Sequence, residues 1–137
     1  MVNATYGTAT STSSNVYIDT GLSATITPKF STSKILVLVD MNGCLKNAIS
    51  LAALNLRLLR GVTSIIQFTV DAGYTGAATT NDVGSCSTNY LDSPATTSAT
   101  TYKVQMANDG NTGTVYINDG GNAGNSISSM TLLEIAA

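Results

Sequence analysis

The chain contains no histidine and no tryptophan, and its 137 residues include only two prolines, two cysteines and two phenylalanines. Without histidine, a histidine-based catalytic triad and a histidine-ligated metal site are both excluded. Two thiols alone do not make a structural zinc site. Charge is also scarce: 10% of residues carry it, with a net charge of −2 and an isoelectric point near 4.6. No run of Lys or Arg is present to neutralise a phosphate backbone, so no nucleic-acid partner is expected. The longest apolar stretches, such as residues 35–39, are far too short to span a bilayer as a helix, and no membrane insertion is expected. The first residues offer neither a charged leader region nor an apolar one, so no signal peptide is expected.

What is present in quantity is serine and threonine, about a quarter of the chain. These residues compete with a helix backbone for its hydrogen bonds, whereas they suit exposed strand faces and turns. A chain of this length fits one domain with one core. Residues 1–15 read as a polar arm, either flexible or an extended strand, and residues 16–137 as the folded domain.

Periodicity supports an all-β reading. Short strands are predicted at residues 16–19 and 24–27, the first stopped by Thr20-Gly21 and the second by Pro28. Residues 34–41, K-I-L-V-L-V-D-M, are apolar on both faces, with Ile35, Val37 and Val39 on one and Leu36 and Leu38 on the other. Asn42-Gly43 reads as a turn. Residues 48–59 contain good helix formers but also the alternation Leu54, Asn55, Leu56, Arg57, Leu58, which favours a strand over residues 54–60. Further strands are expected at 63–71, 86–91, 100–107, 114–118 and 128–135, with loops over 72–86 and 118–127. Eight or nine short strands separated by turn signals indicate an antiparallel β-sandwich, and a jelly roll is the choice among such folds.

The strands at 34–41 and 128–135 are apolar on both sides, and one sandwich core accounts for one side only. A second copy of the chain would cover the other, so Leu36, Leu38, Met130 and Leu132 are the candidate oligomer-interface residues. The alternative is that loops cover these strands.

No catalytic constellation stands out, and the chain reads as a non-enzyme. Its acids, Asp19, Asp40, Asp71, Asp82, Asp92, Asp109, Asp119 and Glu134, are scattered, and most of the aspartates sit beside Gly, Ser or Asn where aspartate stabilises turns. The turns at 109–111 and 119–122 offer oxygen ligands but lack the full calcium-loop pattern, and Gly120-Gly121-Asn122-Ala123-Gly124 does not follow the phosphate-loop pattern. No metal or cofactor is assigned. Asn3-Ala4-Thr5 matches a glycosylation acceptor, a weak motif in a chain with no expected secretory leader. Cys44 and Cys86 read either as a disulfide or as two buried thiols. Of six tyrosines, Tyr74 and Tyr90 flank the expected loop at 72–86 and are the candidate ligand contacts, since a phenol combines a flat apolar ring with a polar tip.

Several pieces carry a resemblance. Val16-Tyr17-Ile18-Asp19-Thr20-Gly21-Leu22, Ala24-Thr25-Ile26-Thr27-Pro28 and Ser33-Lys34-Ile35-Leu36-Val37 look like a module of tailed-bacteriophage structural proteins. So do Leu56-Arg57-Leu58-Leu59-Arg60-Gly61, Tyr90-Leu91-Asp92-Ser93-Pro94, Thr100-Thr101-Tyr102-Lys103-Val104-Gln105 and Met130-Thr131-Leu132-Leu133-Glu134-Ile135. Such modules resemble trimeric jelly rolls of the complement C1q and tumour-necrosis-factor type, found in tail fibres and other virion surface proteins. The resemblance implies a homotrimer on a virion surface, made in the host cytoplasm and released by lysis. Its partners would be other virion proteins, capsid or tail, and for a fibre tip a host surface receptor. No shaft precedes the module in this sequence, which favours a capsid decoration protein over a receptor-binding fibre tip or adhesin, with residues 1–15 as the anchoring arm.

Overall fold

A computed structural model describes residues 1–119 and 126–136. The loop expected at 118–127 and the glycine-rich piece at 120–124 therefore lie largely outside the described residues. Ten strands follow one another in the described chain: β1 Val2–Tyr6, β2 Thr10–Thr12, β3 Ile18–Ile26, β4 Lys34–Lys46, β5 Leu54–Arg60, β6 Thr63–Ala72, β7 Asn81–Asp92, β8 Thr100–Asn108, β9 Val115–Ile117 and β10 Ser128–Ile135. No helix occurs among the described residues. The helix formers at 48–53 lie in the connection between β4 and β5, because the tertiary fold outweighs local propensity there.

Every pairing is antiparallel, and the strands form two sheets. In the first, β10 and β7 flank β4, and β1 pairs the far edge of β10. The short strands β9 and β2 continue this sheet beyond β10, with β9 pairing Leu45 and Lys46 at the end of β4. The second sheet has the order β3-β8-β5-β6. Setting aside the three-residue strands β2 and β9, the eight longer strands fall as first-eighth-third-sixth in one sheet and second-seventh-fourth-fifth in the other. That order is two interlocked Greek keys, a jelly-roll β-sandwich.

The core lies between the sheets and follows the two-residue period of each strand. Ile35, Val37, Val39 and Met41 point inward from β4, and Met130 and Leu132 from β10. They meet Leu22, Ala24 and Ile26 of β3, Leu54, Leu56 and Leu58 of β5, and Tyr102, Val104 and Met106 of β8.

The structure redraws four boundaries. Residues 1–15 supply β1 and β2 and are not set apart from the domain: Val2, Ala4 and Tyr6 pack against the core while Asn3 and Thr5 face out. The segments expected at 16–19 and 24–27 overlap one strand, β3, which runs Ile18–Ile26 with a bulge between Asp19 and Ser23. Gly21 makes the bulge workable. Its φ is +97°, and a Cβ there would meet the Tyr6 ring at 2.3 Å. Buried Thr20 hydrogen bonds the Val104 carbonyl at 2.9 Å, holding the bulge to β8. Asn42-Gly43 likewise does not turn the chain. It forms an irregularity inside the long β4, where the Asn42 and Gly43 carbonyls accept from the backbone of Asn118 and Asp119. Finally, β7 begins at Asn81, so half of the expected 72–86 loop is strand.

Candidate functional surfaces

The outer face of the first sheet is divided. At one end an apolar row crosses three strands, with Leu133 opposite Leu36 and Leu36 opposite Leu91. Leu38 stands in the next outward row, between Thr131 and Asn89, and Ile135 lies opposite Lys34. Leu38 is 39% exposed, Leu91 48% and Ile135 45%. At the other end the face is polar: Ser87 and Asn42 both donate to the Asp40 carboxylate, at 2.6 and 3.1 Å, and Ser85 hydrogen bonds Asn42.

Of the four expected interface residues, Leu36 and Leu38 are on this outer face, whereas Met130 and Leu132 are fully buried. The correction follows from register. Met130 lies opposite Val39 and Leu132 opposite Val37, both inward-facing, so β10 turns those side chains into the core and shows Leu133 instead. Leu91 joins this face although the sequence reads Asp92 beside it as a strand breaker: Asp92 continues β7 as a buried residue, and Leu91 stands out opposite Leu36.

On the second sheet, β3, β8 and β5 carry an internally bonded polar network on the outer face, while Val70 on the edge strand β6 is 61% exposed. The Asp19 carboxylate accepts from Lys103 at 2.8 Å and from Gln105 at 2.7 Å, and Gln105 accepts from Arg57 at 2.6 and 3.0 Å. The Arg57 guanidinium lies 3.9 Å from the centre of the Tyr17 ring, a cation–π contact. The Lys103 hydrogen bond holds the Asp19 carboxyl below the usual aspartate range.

One end of the sandwich is organised by Lys46, whose side chain is buried with no carboxylate partner among the described residues. Its ammonium donates to the Ile49 carbonyl at 2.9 Å, the Thr75 hydroxyl at 2.7 Å and the Ala77 carbonyl at 3.0 Å. Those three bonds use all three of its donors and tie the β4–β5 and β6–β7 connections together. Beside them is a cleft of about 310 Å³ lined by Leu51, Asp71, Tyr74, Asp109 and Gly110. Buried Asn55 shapes it by accepting from the Asp71 amide at 2.9 Å and donating to the Asp109 carboxylate at 3.1 Å. Tyr74 is 54% exposed at this cleft. Tyr90 is elsewhere: it pairs with Val37 in β7 and packs against the core, so the two tyrosines do not share a site. Period-two alternation about Cys86 carries the signal for that inward placement.

No family model matches this chain, and no curated protein does. Among solved structures, it is similar to the infectious bursal disease virus Gt strain structure at 17% identity and a TM-score of 0.48, over 97% of this chain and 31% of that one. It is also similar to the VP2 subviral particle of infectious bursal disease virus at 16% identity and a TM-score of 0.46, over 96% of this chain and 40% of that one. The chain thus spans 31% to 40% of the length of these proteins. Neither likeness reaches a TM-score of 0.5, and neither transfers an assembly, a site or an activity to this chain.

A second cleft, of about 520 Å³, opens where β4 is irregular and is lined by Asn42, Gly43, Cys44, Asp82, Gly84, Ser85, Asp119, Ser126 and Ile127. Both cysteines are free thiols buried in the core cluster behind it. Among the described residues, no three or more of His, Cys, Asp and Glu come together as a metal site would require.

Proposed function

We propose that this chain is a non-enzymatic structural protein of a bacteriophage virion surface, a homotrimeric capsid decoration protein. The observation that carries the reading is the difference between the two outer faces. The face of the second sheet satisfies its polar groups by itself through Asp19, Lys103, Gln105 and Arg57. The face of the first sheet presents Leu36, Leu38, Leu91 and Leu133, which gain from being covered. A closed ring of copies would cover that row without leaving an open end. The number three comes from the resemblance of the strand motifs to trimeric jelly rolls.

A receptor-binding fibre tip is the second reading, favoured by the loop-end cleft. An exposed Tyr74 ring beside Leu51 and two aspartates is a surface suited to a host glycan or protein, combining an apolar platform with hydrogen-bond acceptors. Gold-labelled antibody on intact virions separates the two. Label over heads supports decoration, label at tails supports the fibre tip, and particles without label contradict both.

A further inference from the structure

We propose that Cys44 and Cys86 form a paired oxidation site that closes a disulfide between β4 and β7 when a hydroperoxide or a small disulfide reaches it. The register brings the two together. Cys86 lies opposite Met41, whose side chain is inward, and Cys44 lies opposite Gly84. Between these pairs the register shifts at Asn42 and Gly43, which sets Cys44 diagonally across from Cys86. Both thiols lie in the same buried cluster, where the Cys44 sulfur is 3.5 Å from the Met41 carbonyl and each thiol shifts the ionisation of the other. Access exists on one side, because Cys44 lines the 520 Å³ cleft with Asn42, Gly43 and Ser85.

The two thiols are unequal. Cys86 is lowered from the ordinary thiol range by the hydrogen bond from Cys44 and further by that from Thr69, against the effect of its burial. Cys44 is raised by the same hydrogen bond and by burial. Cys86 is therefore the attacking thiolate and Cys44 the resolving thiol. With hydrogen peroxide, the Cys86 sulfur attacks one oxygen, an S–O bond forms, and the O–O bond breaks to release hydroxide, which takes up a proton. The Cys44 sulfur then attacks the Cys86 sulfenic acid. An S–S bond forms, the S–O bond breaks, and the hydroxyl leaves with the Cys44 proton as water. Two thiols lose two electrons and two protons, and one peroxide becomes two waters.

The bond would staple the two strands that carry Leu36, Leu38 and Leu91, so oxidation would stiffen the apolar face. It does not depend on the virion reading. The test is the full chain, purified under reductant and then treated with hydrogen peroxide or oxidised glutathione. Intact mass should fall by about 2 Da, and peptides containing Cys44 and Cys86 should be joined within one chain. The Tm should rise by about 5–15 °C, reversibly with dithiothreitol. In Cys44→Ser, peroxide should stop at a sulfenic acid that dimedone traps on Cys86. The wild-type mass measurement needs no variant to fold. Two thiols still titrating in the denatured, treated protein would overturn the proposal, as would a disulfide only between chains or a mass gain from sulfinic acid.

Discussion

The Tyr102 hydroxyl donates a 2.6 Å hydrogen bond to the Asp92 carboxylate, and the same carboxylate receives Arg60 at 2.9 Å. Tyr102 belongs to β8 and Arg60 to β5 in one sheet, while Asp92 ends β7 in the other, so the three groups pin the sheets together. Asp92 is 6% exposed and Tyr102 is fully buried. Burial and the neighbouring Asp92 carboxylate hold the Tyr102 phenol protonated far above its ordinary range. Removing only the hydroxyl, in Tyr102→Phe, should cost about 1–2 kcal/mol, because Arg60 still partners the carboxylate. Asp92→Ala leaves the buried Tyr102 hydroxyl without its acceptor and Arg60, a third exposed, with the Ser93 carbonyl, and should cost about 2–3 kcal/mol. Urea unfolding of both variants against wild type checks the order.

Core and face residues should separate cleanly on β4 and β10. Leu132→Ala opens a cavity at a fully buried position and should lower stability by about 2–5 kcal/mol. Leu38→Asp puts a charge on an outward position 39% exposed, and a monomer would lose under about 1 kcal/mol from it. Thermal melts together with sizing in solution read the two effects apart.

Lys46→Met keeps the length of the side chain but removes the ammonium that joins the Ile49 and Ala77 carbonyls and the Thr75 hydroxyl, leaving only bonds within each connection, such as Ala52 to Ile49 and Thr79 to Ala77. A loss of about 1–3 kcal/mol is expected. Hydrogen exchange should accelerate at 47–53 and 73–80 before it does at β8.

Asp19 supplies a pH dependence. Its folded pKa is depressed, so its contribution is present above the ordinary aspartate value near about 4 and is lost as pH falls through the lower, folded value. Lys103→Met should move the Asp19 titration back up toward the ordinary range in carboxylate-detected NMR. An Asp19 titration unchanged by that substitution would contradict the assigned cause.

Much of this architecture was legible in the alternation of the strands, and the exceptions are instructive. Where both faces of a strand are apolar, as in β4 and β10, period two names the two faces but does not say which is inward. Only the pairing of Leu132 with Val37 decides it, and half of the expected interface was therefore core. Thr20-Gly21 and Asn42-Gly43 carry turn chemistry, yet in both places a neighbouring segment presses close and the chain bulges instead of turning. Val2, Ala4 and Tyr6 are too small or too sparse to stand out among serines and threonines, though they alternate correctly. The loop-end cleft was half legible. Tyr74 reads as a loop residue, but Lys46 and Asn55, which organise that end, have no local pattern that marks them, since most of their partners, Thr75, Ala77, Asp71 and Asp109, are distant in sequence.

The central claim is that the Leu36, Leu38, Leu91 and Leu133 face is covered by other copies of the chain. The direct measurement is mass in solution by light scattering after gel filtration, for wild type and for Leu36→Asp and Leu91→Asp. Wild type should appear at three times its 14.1 kDa chain mass, and each variant should fall to a folded monomer. A wild type already at 14.1 kDa, or variants that remain trimers, would contradict the account.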